Sequence, residues 1–132
     1  MFLSQLTDME KKAFISFCIH AANSNGVFAE EEKAMIHEYC KEMEIKYSEE
    51  DEIMPMEDVV AVFSKSDIHN KKITLFEIIG LVYSDEEYDA EEKKFVNEYA
   101  EKIGLTVEEA EKQKELIVRY LKLLKEIVQA VS

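Results

Sequence analysis

Apolar residues recur three or four positions apart along most of the chain, which is the spacing of amphipathic helices. The first stretch covers residues 8–23 and begins with a capping box at residues 7–10. A second apolar stripe runs through residues 35–43, and its helix is predicted to end near Ile45. Residues 24–29 form a short polar stretch between them. The N-terminal third of the chain therefore predicts a helix, a loop and a second helix.

The middle of the chain is less regular. Residues 48–51 predict the start of a short helix. Pro55 predicts the first turn of another helix that continues to Phe63, because proline is tolerated in a first turn and not in a helix interior. Residues 66–72 are polar and are predicted to form a connection. Apolar spacing resumes over residues 73–83, which are predicted to be helical.

Two further helices complete the pattern. Asp89 is a candidate N-cap for a helix over residues 90–103. Gly104 follows that helix at the position where a left-handed C-cap residue would end it. A second capping box, at residues 106–109, begins a last helix that is predicted to reach Val131. Its predicted inner side carries Ala110, Leu116, Ile117, Tyr120, Leu121, Leu124, Ile127, Val128 and Val131.

Composition agrees with an all-α fold. The chain has 132 residues, which fits one domain with a substantial core. Only three Gly and one Pro are present, whereas Glu, Lys, Leu, Ile and Ala are abundant, and this favours helix over sheet. We predict an all-α fold in which residues 1–132 form a compact single-domain bundle of about six or seven helices.

The chain also contains an internal repeat. Shifting the sequence by sixty residues, without a gap, aligns residues 13–45 with residues 73–105. Identical residue types recur in each copy, namely Ser24, Glu31, Glu32, Lys33, Glu38 and Tyr39 in the first. We therefore expect two related helix-loop-helix halves, related by a near two-fold rotation. Phe28 and Tyr88, at equivalent positions, are expected to pack inward beneath the two loops.

Charge narrows the classes of partner. The 16 basic and 29 acidic side chains give a net charge of −13, which disfavours nucleic acid and anionic membranes. Cations and a basic protein partner are favoured instead. No stretch has the length and apolar character of an export signal or a membrane span, so membrane insertion is not expected. Because Cys18 and Cys40 are expected to be reduced, a cytoplasmic location is predicted. The oligomeric state is left open.

Cysteine, histidine and tyrosine residues are interpreted as structural. Cys18 and Cys40 lie in helical patterns without a C-x-x-C pair, so we expect reduced, buried thiols. The histidines show no zinc-binding spacing. Tyr39 and Tyr99 are expected in the core. No nucleophile elbow, glycine-rich phosphate loop or cysteine–histidine pattern is present, so we expect no catalytic residues and no enzyme activity.

The two loops carry a short motif. A helix, a D-G-x-x-x-x-x-E loop and a second helix occur twice, and the second copy ends on A-x-x-x-G-L. The matching residues in the second copy are Ile79, Leu81, Asp85, Tyr88, Glu92, Ala100, Gly104 and Leu105. In the first copy they are Ala22, Gly26, Phe28 and Glu32. Across about residues 6–115 the chain resembles the TerB-like family, the helical domain of bacterial tellurite-resistance TerB and of related stress and co-chaperone proteins.

The resemblance implies a function without catalysis. It implies a compact helical domain that binds a divalent cation at the two loops and acts in stress response or assembly. Two residues depart from the family pattern. Asn25 replaces the acidic residue of the first loop, which removes a charge. Glu86 replaces the glycine of the second loop, and glutamate does not tolerate positive φ as glycine does.

The loop residues themselves offer oxygen ligands. Asp85, Asp89 and Glu92 supply three carboxylates in the second copy, whereas the first copy supplies Asn25 and Glu32. Hard oxygen ligands suit calcium or magnesium, and affinity rises with the number of charged ligands. The candidate metal ligands are therefore these five residues, and the second site is expected to fill first.

Two alternatives stay open at this point. Asp89, Glu91 and Glu92 are also the residues expected to cap a helix and complement its dipole without any metal. The first loop matches a calcium-binding EF-hand except at Ala21, where that motif requires Asp. The chain is thus predicted to be either a metal-responsive helical module or a metal-independent interaction domain that uses its acidic surface.

Overall fold

The computed structural model describes residues 1–24, 30–48, 51–83 and 90–132. A short 3-10 helix, Leu3–Gln5, is followed by α1 (Asp8–Ala22), α2 (Glu30–Met43), α3 (Met56–Ser64), α4 (Ile68–Val82), α5 (Ala90–Lys102) and α6 (Val107–Ala130). These described ranges contain no β-strand. The predicted all-α helical bundle is confirmed.

Helices α1 and α4 form the centre of the bundle. Both are buried over most of their circumference, and side chains such as Phe14, Phe17 and Ile78 are completely inaccessible to solvent. The other helices pack around this pair. Helices α2 and α5 each bury a single stripe of side chains. Their apolar residues therefore recur at helical spacing, with charged residues between them.

The sixty-residue repeat reappears in the helix bounds. Helices α1 and α4 have fifteen residues each and begin sixty positions apart. Each begins with the same kind of cap, because Thr7 accepts a hydrogen bond from the Glu10 amide and Asp67 accepts one from the Asn70 amide. Helices α2 and α5 also begin sixty positions apart. The two halves therefore share their elements and their helix starts.

Contacts between the halves are reciprocal. The Tyr39 hydroxyl donates to the Glu77 carbonyl oxygen at 3.1 Å. The equivalent of Tyr39 is Tyr99, whose ring lies against Phe17, the equivalent of Glu77, with ring centroids 4.0 Å apart. A rotation that exchanges the two halves requires such paired contacts. They support the expected two-fold relation.

A buried polar cluster around Glu10 joins the halves. Its Oε1 accepts hydrogen bonds from the Thr7 amide and from Nδ2 of Asn70, both at 2.8 Å. The Ser66 hydroxyl donates to Oε2. Burial acts to raise the pKa of Glu10, but the hydrogen bonds from Ser66, Thr7 and Asn70 outweigh it and hold the pKa below its ordinary value. Glu10 and Asn70 also lie sixty positions apart, so this contact joins equivalent positions of the sequence.

Helices α2 and α5 end in the same way. Gly104 has φ of 90° and its equivalent, Glu44, has φ of 56°. The amides of Ile45 and Leu105 each donate to the carbonyl five residues earlier, at 3.0 and 2.9 Å. This is the Schellman arrangement, in which a left-handed residue ends the helix. The predicted left-handed cap at Gly104 is confirmed.

The middle of the chain departs from prediction. Residues 66–72 were predicted as a connection, but α4 begins at Ile68 because Asp67 caps it through the Asn70 amide. The predicted helix at residues 48–51 does not continue, since residues 51–55 are not helical. Pro55 immediately precedes α3, in agreement with its predicted place at a helix start.

Both cysteines are buried and free, as predicted. Burial raises the pKa of the Cys40 thiol to about 11 and that of Cys18 well above its ordinary value. No helix among the described residues combines the length and apolar character needed to cross a membrane.

Candidate functional site

Two of the five candidate metal ligands lie in the described part of the chain. Glu32 and Glu92 each occupy the third position of a helix, α2 and α5 respectively. Each is only 2% exposed. Asn25, Asp85 and Asp89 lie outside the described residues, as do Phe28 and Tyr88.

The burial of these glutamates follows from their register. In α2 the buried positions include Glu32, Ile36 and Tyr39, so the glutamate stands at the N-terminal end of the core-facing stripe. In α5 Glu92 precedes Val96 in the same way. Burying an ionised carboxylate costs several kcal/mol unless donors or a cation compensate it. Each half thus places one buried carboxylate where a loop meets a helix.

Other helices of this protein use the same position for capping. In α1 the Thr7 amide donates to Glu10 at 2.8 Å, and in α6 the Thr106 amide donates to Glu109 at 3.1 Å. Both glutamates belong to complete capping boxes. Capping is therefore the role with which any metal role of Glu32 and Glu92 is compared.

The surroundings of the two glutamates are acidic. Glu30, Glu31 and Glu91 precede them in the same first turns and are exposed. Within residues 1–24, 30–48, 51–83 and 90–132, no group of three or more Asp, Glu, His or Cys side chains is arranged to hold a metal ion. The other three candidate ligands, Asn25, Asp85 and Asp89, lie outside these residues.

The histidines occupy three separate places. Nε2 of His20 lies 2.9 Å from the Met54 carbonyl oxygen. Nε2 of His69 lies 2.8 Å from the Gln5 side-chain oxygen. The ring of His37 lies 5.9 Å from that of Tyr47.

Tyr39 and Tyr99 are core residues, as predicted. The Tyr39 ring packs edge-on against Phe14, with centroids 5.5 Å apart, and Tyr99 packs edge-on against Phe63 at 6.3 Å. Burial raises the pKa of both hydroxyls well above the ordinary value. Both side chains therefore serve packing rather than proton transfer.

Sequence reasoning missed a pocket of about 470 Å³ between α1 and the segment that precedes α3. The Met54 amide donates to the Ser16 hydroxyl at 2.9 Å and holds this segment against α1. Ile15 and Ile19 of α1 form part of the pocket wall. Together with Phe14, Phe17 and Cys18 they make α1 apolar on more than one side, and this was the signal that α1 is covered on more than one side.

The C-terminal part of α6 lies outside the bundle. Helix α6 has 24 residues and is about 36 Å long, whereas α4, against which it packs, has 15 residues and is about 22 Å long. The prediction of a continuous inner side was therefore wrong at Leu116 and beyond Ile117, apart from the half-buried Leu121. From residue 116 onwards, the large apolar residues that α6 exposes, here called the exposed face of α6, are Leu116, Val118, Tyr120, Leu123, Leu124, Ile127 and Val128.

Comparison of the chain with protein-family models, curated proteins and solved structures gave no match. The resemblance to the TerB-like family therefore depends on the loop residues and on the repeat that contains them.

Proposed function

We propose that this chain is a non-enzymatic, TerB-like helical module of the kind that acts in bacterial stress response and tellurite resistance, and that its two acidic helix-loop-helix turns bind a divalent cation. The observation that carries the proposal is the burial of Glu32 and Glu92, each 2% exposed, at equivalent positions of the two halves. The repetition of a buried carboxylate at equivalent positions supports a role shared by the two halves.

A calcium or magnesium ion suits these turns chemically. Carboxylate oxygens are the preferred ligands of both ions, and a divalent charge offsets the cost of burying a glutamate. Asp85 and Asp89 add two carboxylates to the turn of Glu92, whereas Asn25 adds only a neutral oxygen to that of Glu32. Cation binding at either turn joins the loop to the first turn of the following helix and stabilises the folded state by mass action.

Glutamine substitutions separate metal binding from capping. Gln serves as well as Glu at the third position of a capping box, but it lacks the negative charge of a metal ligand. We expect calorimetric titration with calcium, magnesium and manganese to give binding to the wild type, weaker binding to Glu32→Gln, and the greatest loss in Glu92→Gln. Glu109→Gln, in the capping box of α6, is the matched control and should bind as the wild type does.

Three results bear against the proposal. If Glu92→Gln and Glu32→Gln bind cations as the wild type does, the two side chains are caps. If Glu32→Gln loses more binding than Glu92→Gln, the expected inequality is reversed. If the wild type binds no cation at millimolar concentration, the cation function is excluded.

A second function is favoured by charge. A net charge of −13 attracts a basic protein, so the chain is then a metal-independent interaction domain. This function takes precedence if the titration detects no cation binding.

A further inference from the structure

The pocket beside α1 lies on a surface whose equivalent in the second half is filled. Ile15 and Ile19 of α1 form part of its wall, and their equivalents in α4 are Leu75 and Ile79. Leu75 and Ile79 are completely buried, whereas Ile15 and Ile19 keep 6% and 5% of their surface exposed. The two central helices therefore carry equivalent apolar surfaces, and that of α1 opens to a pocket.

Helix α6 covers this surface of α4. Nε2 of Gln113 donates to the Lys72 carbonyl oxygen at 3.2 Å, and Ile117 packs near Gly80. Lys72 is the equivalent of Lys12, which lines the pocket beside α1. A helix with its side chains is about 10–12 Å across, which is wide enough to cover the face of its neighbour.

The cover of α1 is narrower. It includes residues 51–55, which are not helical. The Met54 amide donates to the Ser16 hydroxyl at 2.9 Å, and the Met54 carbonyl oxygen lies 2.9 Å from Nε2 of His20. These hydrogen bonds fix the segment to α1 and use both backbone polar groups of Met54. The space left beside the segment is the pocket, and most of its wall is apolar.

The pocket has the size and the wall of a small-molecule site. Its volume of about 470 Å³ lies within the range of about 300–1,000 Å³ that is typical of ligand pockets. Ile45 and Pro55 add to the apolar wall, and so does Ile53, which is 40% exposed. A ligand that removes this surface from water gains free energy of binding from the hydrophobic effect.

The charged residues around the pocket favour a cation. They are Asp51, Glu52 and Asp58 together with Lys12 and Lys46, a net charge of −1. All five side chains are exposed, so they form the rim of the pocket rather than its floor. The net charge of −13 on the whole chain adds to the negative potential, which attracts cations and repels anions. Tyr47 also lines the pocket, and aromatic rings attract ammonium groups.

We propose that this pocket binds a small organic cation, an amine with an alkyl or aryl body. The apolar body lies between α1 and residues 53–55, and the ammonium group stays at the acidic rim, where it remains in contact with water and avoids the cost of burying a charge. An anion of the same size meets the net negative rim. This inference is independent of the metal function proposed above, because none of the five candidate metal ligands lines the pocket.

Methyl NMR of isoleucine-labelled protein, titrated with octylamine, locates the ligand. We expect the signals of Ile15, Ile19, Ile45 and Ile53 to shift in a saturable way, because these side chains form the wall. Ile127, on the exposed face of α6, is an internal control and should not shift. If the Ile127 signal shifts as much as those of the wall, the amine binds apolar surface in general and the proposal is overturned.

A series of alkylamines of increasing length tests whether the site is a pocket of limited volume. Each added methylene group that enters it should tighten binding about fourfold, which is the increment expected for burial of one methylene. The gain should stop when the pocket is full. Affinity that continues to rise with every added methylene contradicts a closed site.

Octanol and octanoate test the charge of the ligand. Octylamine should bind most tightly and octanoate most weakly, because the three ligands share an apolar body and differ in charge. Octanoate that binds as tightly as octylamine overturns the assignment of a cation.

One pair of variants tests the wall. Ile53→Asn removes apolar surface from it and should weaken octylamine binding by roughly threefold or more. Ile68→Asn changes an exposed isoleucine outside the pocket and is the matched control. Because both isoleucines are exposed, both variants should keep nearly the wild-type melting temperature. Equal binding by Ile53→Asn and the wild type would overturn the proposal.

A second pair of variants tests the rim. Glu52→Lys changes the net charge of the rim from −1 to +1, so it should weaken the binding of octylamine and strengthen that of octanoate. Glu57→Lys makes the same change at an exposed residue of α3 that does not line the pocket, and its effect should be smaller. Equal effects of the two substitutions would mean that the rim does not hold the ammonium group.

Discussion

At the scale of single residues, Glu10 is a buried carboxylate on which several hydrogen bonds depend. It is 5% exposed, and three donors from Thr7, Ser66 and Asn70 depend on it. We expect Glu10→Ala to lower the free energy of unfolding by roughly 3 kcal/mol, because buried donors are left without an acceptor. Urea denaturation measures the change. Asp8→Ala, at an exposed position of the same first turn, is the control and should cost much less.

The lowered pKa of Glu10 adds a pH dependence. Since the folded pKa lies below the ordinary value of 4.5, ionised Glu10 contributes stability that is fully present above that value. This contribution is lost as the pH falls below 4.5 through the folded pKa. Glu10→Gln should therefore lose less stability than the wild type over that acid range. Identical acid profiles for the two proteins would show that the Glu10 network contributes nothing.

Glu44 is a second residue under local constraint. It adopts φ of 56° at the place where the equivalent helix has Gly104, and a left-handed conformation costs a non-glycine residue about 1 kcal/mol. We expect Glu44→Gly to raise the free energy of unfolding by about 1 kcal/mol, because glycine adopts this conformation freely. Chemical denaturation of the variant, with Gly104→Ala as the opposite change, tests this. A fall in stability for Glu44→Gly would mean that its side chain matters more than its backbone.

At the scale of elements, α6 divides into a part that stabilises the fold and a part that does not. Ile117 is 5% exposed and packs near Gly80 of α4, whereas the residues beyond Leu121 are all exposed. We expect removal of residues 122–132 to leave the melting temperature of the monomer nearly unchanged. Ile117→Ala should cost about 3 kcal/mol, as truncation of a buried side chain does.

The opposite result is informative as well. If removing residues 122–132 destabilises dilute monomer as much as Ile117→Ala does, the end of α6 contacts the bundle in solution. The exposed face of α6 would then be covered within the monomer.

At the scale of the whole molecule, the contacts between the halves involve residues at equivalent positions of the repeat. Tyr39 reaches Glu77, Tyr99 reaches Phe17, and Glu10 meets its own equivalent. The candidate cation sites follow the same symmetry, because Glu32 and Glu92 are equivalent. The ligands offered by the two loops are not equivalent, since Asn25 stands opposite Asp85. Because the two candidate sites are equivalent in position but differ in their ligands, we expect them to bind a cation with different affinities.

Several features of this protein followed from the sequence because they depend on neighbouring residues. The capping boxes at Thr7 and Thr106 and the left-handed turn at Gly104 are local, and their residue types predict them. The sixty-residue offset predicted the two halves, and it placed Glu32 and Glu92 at matching positions. The start of α4 was missed, because Asp67 begins a helix inside a stretch without apolar periodicity.

Only the tertiary structure decided which surfaces are covered. A glutamate at a helix start is exposed in most proteins, and the burial of Glu32 and Glu92 depends on helices that lie far away in sequence. The apolar residues of α6 predicted a buried face, yet Leu124 is exposed because the bundle ends before α6 does. Periodicity tells which residues share a side of a helix. What covers that side depends on the lengths and positions of the other helices, which no local pattern contains.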